Sequence, residues 1–151
     1  MKTVIIALIS AAVTSIVWIA GLVLISLYFF GPLPFQVRID APARVSVDDS
    51  FEIVINATNP TPKEMILDSI DIYSSLLEGF DVVSVSPPPS SESKILNFQS
   101  FSFSRSVRPN ETVKVVVLLK AKKDGYFSGE IDICTPAQKF TTVSTGIVVE
   151  K

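Results

Sequence analysis

The chain begins with one long apolar run. Thr3 to Phe30 is 28 consecutive positions without a charged side chain, and most of them are Ile, Val, Leu, Ala or Phe. As an α-helix rising about 1.5 Å per residue, the run reaches roughly 42 Å, more than the ~30 Å hydrocarbon core of a bilayer. It therefore predicts a transmembrane anchor over residues 1–30 that constrains everything after it.

A cleaved secretory signal and a buried helix of a soluble domain are the alternatives to an anchor. The apolar region of a signal is typically about 7 to 15 residues long, roughly half of this run. The best cleavage position follows Ala20, where Trp18 stands at a site that prefers a small residue. These features favour an uncleaved anchor.

The distribution of positive charge predicts the orientation. Lys2 is the only charged side chain before the run, and Arg38 is the first one after it. Cations that flank a span tend to stay in the cytoplasm. We expect a single-pass protein of the cell membrane, with a cytoplasmic N-terminus and an extracytoplasmic C-terminal domain.

A short linker separates the anchor from the rest of the chain. Gly31-Pro32-Leu33-Pro34 carries two prolines in three positions, which end a helix and favour an extended connection. Residues 35–151 then form a stretch of ordinary single-domain length. Because residues 31–34 are so few, this domain is expected close to the membrane.

The domain shows the alternation of β-strands. In Phe51 to Thr58, Phe51, Ile53, Ile55 and Ala57 share one face, and Thr112 to Lys120 repeats the pattern. Val116 and Leu118 lie on the second face of the strand at residues 112–120 and indicate that this face is partly covered or takes part in a contact. Val148, on a different strand, is a further candidate for such a contact.

Six further strands are expected, at residues 35–47, 67–73, 80–85, 95–107, 126–134 and 140–149. A change in apolar parity predicts a bulge near Gln99 and Ser100. Seven or eight short strands separated by Pro, Asn, Asp and Gly turns are typical of an all-β, antiparallel β-sandwich. A small barrel is the lesser alternative.

Several segments resemble the immunoglobulin-like modules of prokaryotic cell-surface proteins, the group that includes CARDB-type and DUF11-type repeats. The similar segments are Phe51 to Asn59, Leu77 to Val85, Val107 to Val113 and Lys122 to Phe127, with Asn110 where glycine is usual. The resemblance implies an immunoglobulin-like β-sandwich that acts as a spacer, adhesion element or docking surface. It brings no catalytic residue.

The composition excludes several kinds of chemistry. The chain has no histidine and one cysteine, so it lacks a Ser-His-Asp or Cys-His site, an internal disulfide and a thiolate zinc site. It has neither a glycine-rich phosphate loop nor the clustered basic residues that nucleic acid requires. We expect no enzyme activity, no cofactor, no metal, no nucleic acid and no small-molecule substrate.

A few polar residues remain as candidates for a specific role. Cys134 is interpreted as a small buried side chain, with an intermolecular disulfide as the alternative. Asp48, Asp49 and Glu52, or Asp68 and Asp71, offer oxygen atoms of the kind that bind calcium, but without the spacing of a calcium loop. Solvated carboxylates are the simpler interpretation.

Two further patterns concern modification and helix contact. Asn56-Ala57-Thr58 and Asn110-Glu111-Thr112 are acceptor sequences for N-glycosylation, at Asn56 and Asn110. In the apolar run, Ala7, Ala11 and Ser15 recur every four residues, a spacing that lets two helices approach closely. Small residues are also common in ordinary spans.

The sequence thus predicts a non-enzymatic, single-pass membrane protein. Its partners are the lipid bilayer and another membrane or surface protein, which the domain docks onto for adhesion or envelope structure. The alternative is an accessory subunit of a membrane complex, bound through both its helix and its β-domain.

Overall fold

The computed structural model describes residues 13, 15–25 and 34–151. The chain divides into two units, Met1–Pro32 and Leu33–Lys151. In the first unit, residues 15–25 are helical and include Ser15, while Ala7 and Ala11 lie outside the described residues. Among the residues described, no helix combines the length and the apolar character needed to cross a membrane.

The second unit is a β-sandwich, as expected from the alternating strands. Its described residues form two sheets. The smaller sheet has the order β1 (Gln36–Asp40), β3 (Ser50–Thr58), β8 (Thr112–Ala121) and β5 (Phe80–Ser86). The larger sheet has the order β2 (Arg44–Ser46), β10 (Phe140–Glu150), β9 (Gly125–Cys134), β4 (Met65–Tyr73), β7 (Phe98–Val107) and β6 (Ser91–Ile95). A short helix, Ser74–Leu77, connects β4 to β5.

The core lies between the two sheets. The β3–β8 pair runs in unbroken antiparallel register from Ser50 opposite Lys120 to Thr58 opposite Thr112. Because side chains alternate between faces, every second residue of both strands points inward. The larger sheet supplies the opposing layer. Fully buried members of the two layers include Ile53, Ile55, Val117, Leu119, Leu67, Ile70, Ile72, Ile131 and Ile133.

The strand expected at residues 35–47 is in fact two strands in different sheets. β1 pairs with β3 in the smaller sheet, whereas β2 pairs with β10 in the larger one. Pro42 lies between them and has no amide hydrogen for a ladder, so pairing stops where the chain crosses over. The β2–β10 pair is parallel, and the sheet is therefore mixed rather than purely antiparallel.

The strand expected at residues 95–107 is β7, which begins only at Phe98, because Ile95 is the last residue of the preceding strand β6. The bulge predicted near Gln99 and Ser100 is wrong, since pairing is regular there. Leu96 and Asn97 form the turn between β6 and β7, with Leu96 at φ 40°. Phe98 lies on the outer face against Tyr73, with ring centroids 5.9 Å apart. The parity of the apolar positions changes because Phe98 lies on the outer face and Phe101 on the inner face. This change does not require an extra residue in the strand.

Two register irregularities lie elsewhere. In β5, Val83 is an extra residue between Val82 and Ser84, which pair with the adjacent residues Leu119 and Leu118 of β8. Pairing of β4 with β7 shifts between Leu67 and Ser69, opposite the stretch between Arg105 and Ser102. Ser104 sits within that stretch at φ 47°. β6, which the sequence did not indicate, follows the Pro87-Pro88-Pro89 run and is exposed at every position.

The sandwich has two distinct ends. The entry end is formed by Phe35 and the loops at residues 59–64, 108–111 and 135–139. Here the Phe35 amide donates to Thr141 Oγ1 (3.3 Å), and the Thr141 hydroxyl donates to the Phe35 carbonyl (3.0 Å). The far end is formed by the turns at residues 41–43, 47–49, 74–79, 96–97 and 122–124.

Asn59 connects the loops of the entry end. Its side chain is fully buried, and Nδ2 donates to the carbonyls of Lys63 (2.7 Å) and Val107 (3.0 Å). Its Oδ1 accepts from the amide and the hydroxyl of Thr61, at 2.9 and 2.8 Å. One amide group therefore satisfies backbone groups on two segments that cross between the sheets.

We predict that Asn59→Ala destabilises the sandwich by about 2–4 kcal/mol, because it leaves several buried polar groups without partners. Chemical denaturation followed by circular dichroism measures the change. Asn56→Ala is the matched control, since the Asn56 amide makes one marginal contact of 3.5 Å with Asp40. Equal stability of the two variants would contradict the assigned role of Asn59.

Candidate functional site

A row of polar side chains crosses the outer face of the larger sheet. Thr142, Asp132, Asp71 and Ser100 stand directly opposite one another on β10, β9, β4 and β7. Thr142 Oγ1 donates to Asp132 Oδ1 at 2.6 Å, and Ser100 Oγ donates to Asp71 Oδ1 at 2.5 Å. Each carboxylate thus has a hydroxyl donor on its outer side, while the two carboxylates face each other.

Cys134 lies beside this polar row. It pairs in register with Ser69, and its thiol donates to Asp71 Oδ2 at 3.5 Å. Burial, followed by the negative charge of Asp71, raises the pKa of the Cys134 thiol to about 12. The thiol is half-buried and remains protonated at neutral pH, which makes it a poor nucleophile and a poor metal ligand.

Tyr73 is the last residue of β4 and lies on the same outer face as Asp71. The charge of Asp132 is the main cause that raises the pKa of Tyr73, with smaller contributions from desolvation and from Glu130. The phenol therefore stays neutral at physiological pH and serves as a hydrogen-bond donor or acceptor rather than as a base.

The carboxylates considered for calcium are placed separately. Asp48 and Asp49 lie in the far-end turn, where Asp48 pairs with Lys120 (3.2 Å) and Asp49 accepts from the Ser46 amide (2.9 Å). Asp68 accepts a hydrogen bond from the Ser104 hydroxyl, whereas Asp71 accepts one from the Ser100 hydroxyl, so the two carboxylates have different donors. Over the part of the chain that the structure describes, no three His, Cys, Asp or Glu side chains are grouped to hold a metal ion.

A half-buried apolar strip lies on the outer face of the smaller sheet. Val54 stands opposite Val116, and Leu118 lies between Glu52 on β3 and Ser84 on β5. Val54, Val116 and Leu118 are only partly covered, and Val83, in the bulge of β5, is 55% exposed. Val148 lies in the other sheet, beside Arg44, and is not part of this strip.

The two glycosylation sequences meet at the entry end. Asn56 lies on the outer face of β3, and Asn110 is an exposed turn residue at φ 60°, a conformation that asparagine tolerates. The hydroxyls of their acceptor threonines, Thr58 and Thr112, are hydrogen-bonded at 2.7 Å. Both sites therefore belong to one small region of the surface.

Similar solved structures support the fold. The sequence matches no protein-family model and no curated protein. The cohesin module of a Clostridium perfringens family 33 glycoside hydrolase matches with a TM-score of 0.58 and 10% identity, over 79% of this chain and 98% of that one. AvmM, described as catalysing macrocyclization in alchivemycin A biosynthesis, matches with a TM-score of 0.52 and 10% identity, over 80% and 90%. A CARDB domain from Pyrococcus furiosus has a TM-score of 0.48 and 10% identity, over 77% and 87%.

The likenesses to the cohesin module and to AvmM show the fold alone, because both identities are low. Together with the two-sheet topology they identify residues 34–151 as an immunoglobulin-like β-sandwich. A cohesin module and AvmM share the architecture but differ in what they do, so the fold does not by itself assign a function.

The polar row was not recognised from the sequence. Its signal was present, because Asp71 alternates with Ile70 and Ile72, and Asp132 alternates with Ile131 and Ile133. That alternation places the carboxylates outward on their strands. It does not show that β4 and β9 are neighbours in the sheet, because the two strands are far apart in the sequence.

We predict that Cys134 reacts about a thousandfold more slowly in the folded chain than in the unfolded chain at pH 8, since the thiolate fraction falls with the raised pKa. The rate should rise about tenfold per pH unit up to pH 10. Kinetics of a thiol reagent measure this. Asp71→Asn should accelerate the reaction, whereas Asp81→Asn, on the other sheet, should leave it unchanged. A rate independent of pH would contradict the raised pKa.

We predict that Asp132→Asn lowers the pKa of Tyr73 and raises stability by about 0.5–1 kcal/mol, because it removes one of two like charges directly opposite each other. The tyrosinate absorbance, with Tyr73→Phe as the reference, measures the pKa. Glu130→Gln is the control and should lower it less. An equal or larger effect of Glu130→Gln would contradict the geometry.

Proposed function

We propose that this chain is a single-pass membrane protein that presents an immunoglobulin-like sandwich outside the cytoplasm for docking to another membrane or surface protein. The described part of the apolar run carries this proposal. Ile16 to Ile19 and Leu22 to Ile25 are apolar helical residues, and all are more than half exposed. Four consecutive residues cover every side of a helix, so this segment is apolar all round.

Such a helix needs an apolar environment. An amphipathic helix buries one stripe, whereas a helix that is apolar on all sides is buried in a large core or spans a membrane. Within the described residues, all members of the core cluster of the sandwich lie between Phe35 and Val149. The lipid bilayer is the environment that accommodates the full run of Thr3 to Phe30.

The outward surfaces of the sandwich support binding rather than catalysis. The carboxylates of the polar row accept hydroxyl hydrogen bonds, and the thiol of the neighbouring Cys134 is protonated. The apolar strip of Val54, Val116 and Leu118 is bordered by Glu52, Lys114 and Lys120 on the same two strands. An apolar centre with a charged rim is the usual arrangement of a protein-binding surface.

We expect the full chain to remain with membranes after alkaline extraction, and a chain that lacks residues 1–30 to be released. In a Cys134→Ser background, Asn97→Cys should react with a membrane-impermeant reagent from outside intact cells. Asn97 is an exposed far-end position and reports topology without the shielding of Cys134. Reaction only after the cells are opened would contradict the orientation.

A pull-down from solubilised native membranes separates docking from the accessory-subunit alternative. If the sandwich docks, Val116→Ser with Leu118→Ser should abolish capture of the partner by full chain and by residues 35–151 alike. Lys114→Ser is the control on the same strand. Loss of capture on Ala7→Leu, Ala11→Leu and Ser15→Leu, with the strip intact, would instead favour helix binding.

A further inference from the structure

The entry end differs from the far end in how its basic residues are used. At the far end, four cations are paired with carboxylates: Arg44 with Glu150, Lys120 with Asp48, Lys122 with Asp81, and Lys151 with Asp124. Two more far-end cations, Lys94 and Lys123, belong to no ion pair within the described residues, and Lys123 lies over the Phe127 ring. At the entry end, exposed Lys63, Arg108 and Lys139 belong to no ion pair within the described residues.

The carboxylates of the entry end are engaged by uncharged donors. Glu111 accepts from the Arg108 backbone amide at 2.8 Å, and Glu64 accepts from the Ser106 hydroxyl. The side chains of Lys63, Arg108 and Lys139 are therefore left to solvent. They sit on three different loops, so their charges are spread over the end of the sandwich.

An exposed aromatic residue accompanies these cations. Phe140 is 53% exposed and directly precedes Thr141, whose hydroxyl is bonded to the Phe35 backbone. Ile66, near the start of β4, is also exposed. Phe140 thus lies next to the point at which the chain enters the sandwich from residues 31–34.

Chain length limits how far this end can be from the anchor. Residues 31–34 extend at most about 14 Å. If Thr3 to Phe30 spans the bilayer, the entry end is held within reach of the lipid headgroups. Basic side chains around an apolar aromatic residue are the chemistry that binds an anionic bilayer surface.

We propose that the entry end is a lipid-contacting surface, in which Phe140 enters the headgroup region and Lys63, Arg108 and Lys139 bind the phosphates of anionic lipids. The proposal rests on the proposed membrane anchor. It assigns the sandwich a fixed orientation, with the far end directed away from the lipid and open to protein partners.

The experiment uses the full chain in vesicles of phosphatidylcholine and phosphatidylglycerol in equal parts. A Cys134→Ser background carries a fluorophore at Ala137→Cys, on the entry end, or at Asn97→Cys, on the far end. Lipids with spin-labelled headgroups quench a fluorophore that lies near them. Quenching is expected at position 137 and not at position 97.

A longer linker separates lipid binding from simple tethering. With about 20 Gly and Ser residues inserted after Pro34, a sandwich that binds lipid remains quenched at position 137, whereas a tethered one does not. In this extended chain, Lys63→Ser, Arg108→Ser and Lys139→Ser together should lower the ratio of docked to undocked sandwich about a hundredfold, roughly fivefold per basic residue. Phe140→Ser should lower it further.

Replacing Lys94, Lys122 and Lys151 by Ser removes the same charge from the far end and should leave the quenching unchanged. Quenching lost on linker extension, or retained undiminished in vesicles of phosphatidylcholine alone, would overturn the lipid-contacting surface. A chain that does not float with vesicles after alkaline extraction would overturn the anchor itself, and this inference with it.

Discussion

The pairing of β3 with β8 is the constraint on which the rest of the sandwich depends. Its unbroken register runs from Ser50 opposite Lys120 to Thr58 opposite Thr112 and commits alternate residues of both strands to the core. A slip of β8 by one residue would turn Val117 to solvent and bring Lys114 inward. The cost of exposing several branched side chains, about 1.5–3 kcal/mol each, makes one register dominant.

The same register determines what the smaller sheet shows to the outside. Once Ile55 and Val115 point inward, Val54 and Val116 must point outward and meet across the two strands. The apolar strip is therefore a direct consequence of having apolar residues at both parities in the centre of each strand. A strand selected for stability alone would carry polar residues at these positions, as Asn56 and Lys114 do at the next outward-facing pair.

How far the sequence predicts the fold depends on whether a signal is local. The alternation in Phe51 to Thr58 and Thr112 to Lys120 is local, and it correctly placed both central strands and the inward face. The crossover at Pro42 and the turn at Leu96 were missed, since an apolar run looks the same whether or not the chain changes sheet within it. The polar row was missed for a related reason: Asp71 and Asp132 are far apart in sequence, and only strand order makes them neighbours.

The two ends of the sandwich satisfy their charged and polar groups in different ways, and this difference bears on function. At the far end, ion pairs such as Arg44 with Glu150 neutralise cations against carboxylates. At the entry end, Asn59 and the Phe35–Thr141 pair satisfy the backbone with neutral groups, and Lys63 and Lys139 have no carboxylate partner among the residues that the structure describes. A protein that only needed stability would gain little from this difference, since exposed ion pairs contribute about 0–1 kcal/mol. Unpaired cations around an exposed aromatic residue, at the point where an apolar segment joins the domain, are instead suited to a boundary between water and lipid.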